Sequence, residues 1–113
     1  MQLSEQQLSF FDTFGYLAFP ELFKPQEVSW IIEEFEMVLR THGGGKNHDG
    51  SKRTIIVPTI DHSAKLSTLL DDPRILGIAS EILGDDFNYG SGDGNYYSGD
   101  TGWHPDGGYP ELF

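Results

Sequence analysis

The 113-residue chain is predicted to be α+β, with three or four helices packed on a partial antiparallel sheet. Three observations predict it. Apolar residues recur at helical spacing in several stretches that carry their own start and stop signals. Short β-branched or aromatic runs stand between turn-forming residues. After Gly84 the composition changes to Gly, Asp, Asn, Ser and Tyr, which suits turns and short strands and not helix.

The first helix starts at Ser4. Ser4 and Gln7 form a capping-box pattern, and Leu3 with Leu8 are spaced as a hydrophobic staple. Leu8, Phe11 and Phe14 then recur on one face, and Gly15 is a natural stop. Tyr16–Phe19 is predicted to be a short strand ended by Pro20, and the aromatics of this region are expected in the core. Pro25 suits the first turn of a second helix. Its apolar stripe is Val28, Ile31, Ile32, Phe35, Val38 and Leu39, with Glu27, Glu33, Glu34 and Glu36 mostly off it. Acids stand early and Arg40 late, as the helix dipole prefers. Gly43-Gly44-Gly45 ends it.

The polar loop from Gly43 to Lys52 follows. His42 and His48 have an H-x5-H spacing, but a Gly-rich loop of this kind more often covers something, and a lid is the reading taken here. Lys52 and Arg53 stand out because basic residues are few; they either meet an anionic substrate or balance local acids. Thr54–Val57 is β-branched and predicted to be a strand stopped by Pro58. Ser63–Leu70 has the pattern of a short helix. Asp72-Pro73 caps another, whose stripe is Ile75, Ile78, Ala79, Ile82 and Leu83 and whose stop is Gly84. Phe87–Tyr89 and Tyr96–Tyr97 are predicted to pair as two short strands around Asp93-Gly94.

Composition excludes several functions. A chain of this length makes at most one domain. Its net charge of −11 argues against a nucleic-acid partner and against an anionic membrane surface. With no cysteine there is no disulfide, thiolate nucleophile or zinc–thiolate centre, which fits a cytoplasmic protein. The first residues lack the basic and apolar regions of a signal peptide, and no apolar run approaches the roughly 20 residues of a spanning helix. Asp85, Asp93, Asn95 and Asp100 do not make an EF-hand, since counting from Asp85 puts Tyr96 at the closing position.

The chemistry-bearing stretch is Gly102-Trp103-His104-Pro105-Asp106-Gly107-Gly108. In an extended segment, residues two apart point to one face. His104 and Asp106 are therefore expected to aim a nitrogen and an oxygen donor into one space, as two ligands of a divalent metal. Pro105 biases His104 away from helix. A 2-His-1-carboxylate site needs one further His. Trp103 is expected to pack behind the metal strand.

Together these residues resemble a known family. Leu8-Ser9-Phe10-Phe11-Asp12-Thr13-Phe14-Gly15-Tyr16-Leu17, then Phe19-Pro20, Leu22-Phe23 and Pro25-Gln26-Glu27-Val28, look like the opening helix and first strand of the phytanoyl-CoA dioxygenase family. Leu69–Asp86 and Trp103-His104-Pro105-Asp106-Gly107 resemble the same family up to its His-x-Asp motif, so the likeness covers nearly the whole chain. It implies an Fe(II)/2-oxoglutarate-dependent oxygenase on a double-stranded β-helix, or jelly roll. The substrates it implies are small molecules, acyl-CoA thioesters or natural products. By resemblance His104 and Asp106 are the first two iron ligands, and Asn95 and Tyr97, on the strand before the motif, are co-substrate contacts. An acid at position 106 implies hydroxylation and not halogenation.

The family's distal His and the basic residue that grips the 2-oxoglutarate carboxylate have no counterpart after Asp106. Residues 1–113 are accordingly expected to be a single partial domain, the N-terminal part of such an enzyme, inactive alone. The competing expectation is a non-catalytic module that self-associates through open strand edges, since a partial jelly roll invites pairing. A homo-oligomer is expected either way.

Overall fold

The computed structural model describes residues 2–43 and 48–105. The architecture is mostly helical, with one two-stranded antiparallel sheet that does not close on itself. Helix α1 spans Glu5–Phe14. Ser4 caps it with both bonds of the capping box, Gln7 N–H to Ser4 Oγ at 3.1 Å and Ser4 N–H to Gln7 Oε1 at 2.9 Å. Gly15 closes it in the left-handed region at φ 78°, where a Cβ would be strained.

Helix α2, Pro25–His42, is the spine of the molecule. Its last two turns carry the core. Val38 and Leu39 pack with Ile56 of strand β1 (Thr54–Ile56) and Leu66 of the short helix α3 (Ala64–Ser67). Among the described residues these four and Leu3 are the buried hydrophobics. Ser63 caps α3 by accepting from Leu66 N–H at 3.0 Å and ties it to α2 by donating to Glu34 Oε2 at 2.7 Å. A 3₁₀ turn, Thr68–Asp71, leads into helix α4, Pro73–Leu83, which Asp72 caps.

Strand β2 is Gly94–Tyr96 and pairs with β1 in the register Thr54↔Tyr96, Ile55↔Asn95, Ile56↔Gly94. This corrects the expected local hairpin with Phe87–Tyr89, which is irregular chain. The reason lies in the hydrogen bonds. Thr59 N–H reaches the carbonyl of Gly92 at 3.1 Å, continuing the β1 side of the pairing past the ladder. The segment before Gly94 is thereby committed to β1, far away in sequence. Tyr16–Phe19 is likewise irregular and not a strand, since no neighbour among the described residues supplies a ladder. Strand β1 stops at Ile56, one residue short of the expected Val57.

The expected burial holds only in part. Phe14 and Tyr16 are exposed and cluster with Phe10, at ring separations of 4.7 Å for Phe10–Phe14 and 5.3 Å for Phe10–Tyr16. Val28 and Ile32 on α2 and Leu83 on α4 are exposed as well. Helical periodicity marks a face, but that face is buried only where a second element lies on it.

One charged cluster ties α4 to α2. Arg74 bonds Glu27 with both terminal nitrogens, at 3.0 and 2.8 Å, and Asp72 through Nε and Nη2, at 2.9 and 2.7 Å. It also donates to the Leu22 carbonyl at 3.0 Å and lies over the Phe23 ring. The guanidinium holds both carboxyls down to about 2, from 4.5 for Glu27 and 3.8 for Asp72, with backbone N–H donors adding to the effect. Folded-state values below the unfolded ones mean that the contribution is present in full above the unfolded values. It is lost as pH falls through about 4.5 towards 2. Urea midpoints are therefore expected to drop across that window in the native chain and to drop less in Arg74→Met. Parallel curves for the two proteins would refute the linkage.

Candidate functional site

The pairing of β1 with β2 creates a sheet with two unlike faces. Residues directly opposite in an antiparallel pair share a face. Ile56, Gly94, Thr54 and Tyr96 face α2, where the Tyr96 ring sits 5.3 Å from Phe35 and its hydroxyl donates to Glu36 at 3.3 Å. Ile55 and Asn95 form the central pair of the other face, and Ile55 is 47% exposed. One step outward the same parity brings Arg53 opposite Tyr97.

The side chains on this open face are organised. Arg53 Nε donates to Asn95 Oδ1 at 2.8 Å, and the guanidinium carbon stands 4.8 Å from the centre of the Tyr97 ring. The amide nitrogen of Asn95 donates in turn to Asp93 Oδ2. That bond fixes which end of the amide meets Arg53. The structure thus brings the two expected co-substrate contacts, Asn95 and Tyr97, together on one face and adds Arg53 to them. Sequence reading marked Arg53 as unusual but could not connect it to residues 42 positions away. The signal was the shared parity of Arg53 and Ile55, and it needed the strand partner to become useful.

The His104 region is organised differently. Residues 101–105 lie in neither helix nor strand, and they are exposed. The His104 Nδ1 lies 2.8 Å from the carbonyl of Gly102. A carbonyl only accepts, so Nδ1 is the donor in this contact. Such a contact is a common way of orienting a histidine that binds metal through its other nitrogen. Asp106 lies outside the described residues. Trp103 does not pack behind this segment as expected; its side chain is fully exposed, and no described residue covers it.

The remaining histidines are held by rings. His42 and His62 stack at 3.8 Å with planes 19° apart, and His48 stacks on Tyr96 at 4.8 Å while its Nδ1 meets Thr54 Oγ1 at 3.3 Å. Near-parallel rings direct their lone pairs side by side and not toward one point, so the stacked pair cannot chelate a single ion as it stands. Among the described residues no group of three or more His, Asp or Glu is arranged to hold a metal. No described helix is long and apolar enough to cross a membrane. Comparison with protein-family models, with curated proteins and with solved structures gives no match.

Proposed function

We propose that this chain forms part of the pocket of an Fe(II)/2-oxoglutarate-dependent hydroxylase of a small molecule or acyl-CoA. In this reading His104 and Asp106 are the first two iron ligands, and Asn95 and Tyr97 are co-substrate contacts. The two-stranded sheet is then the start of a jelly roll whose further strands and third ligand are not among the described residues. The observation that carries the reading is the open sheet face. A jelly-roll enzyme needs one face of this sheet against helices and the other turned toward a pocket, with polar side chains on the pocket side. Asn95 and Tyr97 are on the side away from α2, as that role requires. The Gly102 contact of His104 is compatible with the same reading, because a backbone carbonyl is a common orienting partner of a metal-binding histidine.

Bound iron with 2-oxoglutarate supplies the oxidising power for hydroxylation. This chain's own share is to present one nitrogen and one oxygen donor and to offer an amide and a phenol to the co-substrate. Two donors make a weak site. Mn²⁺, a paramagnetic ion that accepts the same nitrogen and oxygen donors, tests it on the 113-residue chain. The amide signals around His104 and Asp106 are expected to broaden first, and His104→Ala and Asp106→Ala are each expected to abolish that broadening. Broadening centred on the acidic surface of α2, and unchanged in both variants, would refute the proposal. The chain alone is expected not to decarboxylate 2-oxoglutarate.

A second reading has an observation of its own. With only two strands in the described sheet, each has one unpaired edge, and such edges invite pairing with another copy. This favours a non-catalytic module that forms a homo-oligomer. Light scattering on the Mn²⁺-titrated sample separates the two. An oligomer with no broadening near His104 supports the module, whereas a clean monomer removes it.

A further inference from the structure

Arg53 is held without a carboxylate partner among the described residues. The chain carries 18 acidic residues against 7 Lys and Arg, so an arginine should find a carboxylate easily. The ion pairs of the described residues nevertheless all belong to Arg74. Arg53 is held instead by neutral groups, through Nε to Asn95 and through its π-face to Tyr97. Both contacts leave the outer fork of the guanidinium, Nη1 and Nη2, without a hydrogen bond among the described residues.

A guanidinium fixed at Nε and stacked on a ring has lost most of its rotamer freedom before any ligand arrives. Its two remaining nitrogens then present parallel N–H donors, the geometry that a carboxylate accepts with both oxygens. Beside it on the same face stands Ile55, an exposed apolar side chain that can carry the body of a ligand. Asp93 contributes at a distance, by orienting the Asn95 amide and not by pairing with Arg53.

We infer that Arg53, positioned by Asn95 and Tyr97, is a carboxylate-recognition residue for a small ligand seated on the open face of the β1–β2 sheet. The inference rests on the reading of that face as a pocket wall, but it needs no metal. The carboxylate belongs either to the co-substrate or to the molecule being hydroxylated.

The test is an NMR titration of the 113-residue chain in EDTA, with hexanoate, its neutral counterpart hexanamide, and 2-oxoglutarate as probes. Hexanoate is expected to shift the signals of Arg53, Ile55, Asn95 and Tyr97. Binding by hexanamide, or by the Arg53→Gln variant, is expected to be weaker by about tenfold or more, the scale of a lost charged hydrogen bond. Arg53→Lys keeps the charge and loses the fork. It is expected to fall between the two, which guards against a folding artefact. Tighter binding of 2-oxoglutarate than of hexanoate assigns the carboxylate to the co-substrate, and the reverse assigns it to the substrate. Absent shifts on this face, or equal affinity for hexanoate and hexanamide, would overturn the inference. The titration is run in EDTA and reads no metal, so failure of the Mn²⁺ experiment and failure of this one are separate results.

Discussion

Leu39→Ala is expected to cost about 2–5 kcal/mol, the range for truncating a buried leucine. A chain of this length has about 6 kcal/mol of stability at the low end of the usual scale, so the variant is expected to lose roughly a third of it or more. The reason is the size of the core. Leu39 is 3% exposed and belongs to the buried cluster that joins α2 to Ile56 of β1 and Leu66 of α3, with Tyr96 of β2 packed against it. No second core stands behind it among the described residues, and the neighbours that would have to collapse are anchored by the β1–β2 ladder and by the Ser63–Glu34 bond. Leu83→Ala is the control. Leu83 has the same chemistry and a place in an apolar helical stripe, but it is 64% exposed, and its truncation is expected to change stability by less than about 0.5 kcal/mol. Urea denaturation of the two variants measures the contrast. Similar midpoints would mean that the core is not where the structure puts it.

Gly94→Ala is expected to cost about 1–3 kcal/mol, the usual scale for forcing an extra carbon into a packed site. Gly94 is buried at the point where β2 crosses the Phe35 ring. A Cβ there would run into that ring and would stand 2.8 Å from Thr59 Oγ1. Thr59 has little room to move, because its hydroxyl donates to the Ile56 carbonyl at 2.6 Å. The added methyl therefore pushes β2 off α2, and with it the face that carries Asn95 and Tyr97. A double variant separates this clash from a change in backbone freedom. In a Phe35→Leu background, where the ring is gone, the cost of Gly94→Ala is expected to shrink by half or more. An unchanged cost would show that the ring is not the obstacle. The same substitution should also weaken hexanoate binding without touching any residue on the open face.

Much of the local structure is legible in the residues themselves. Ser4 with Gln7, Pro25, Gly15, Gly43, Asp72 with Pro73, and Gly84 each mark a helix end that the structure has within a residue. These signals act over three or four positions, through one hydrogen bond or one backbone angle, so the neighbouring sequence is enough to read them. The same holds for the parity of a strand. Arg53 and Ile55, or Asn95 and Tyr97, must share a face wherever the strand lies.

Partner choice was not legible. Asp93-Gly94 has the composition of a hairpin turn, and a local reading pairs Tyr96 with Phe87–Tyr89. The structure pairs it with Thr54 instead, because α2 offers a surface on which β1 and β2 both lie and because the Gly92 carbonyl is taken by Thr59. Burial was misjudged for the same reason. Phe14, Ile32 and Leu83 occupy positions that periodicity assigns to a core, yet a face becomes interior only when another element covers it.

The order of the residues alone thus determined the helices, their caps and the absence of thiol chemistry. The tertiary structure alone decided that Arg53, Asn95 and Tyr97 meet, that the Arg74 clamp closes on Glu27 and Asp72, and which few side chains are buried. The physical reason is range. Caps and turns are settled by neighbours a few residues away, whereas strand partners and interior positions depend on contacts between segments tens of residues apart, whose joint energy no single segment carries.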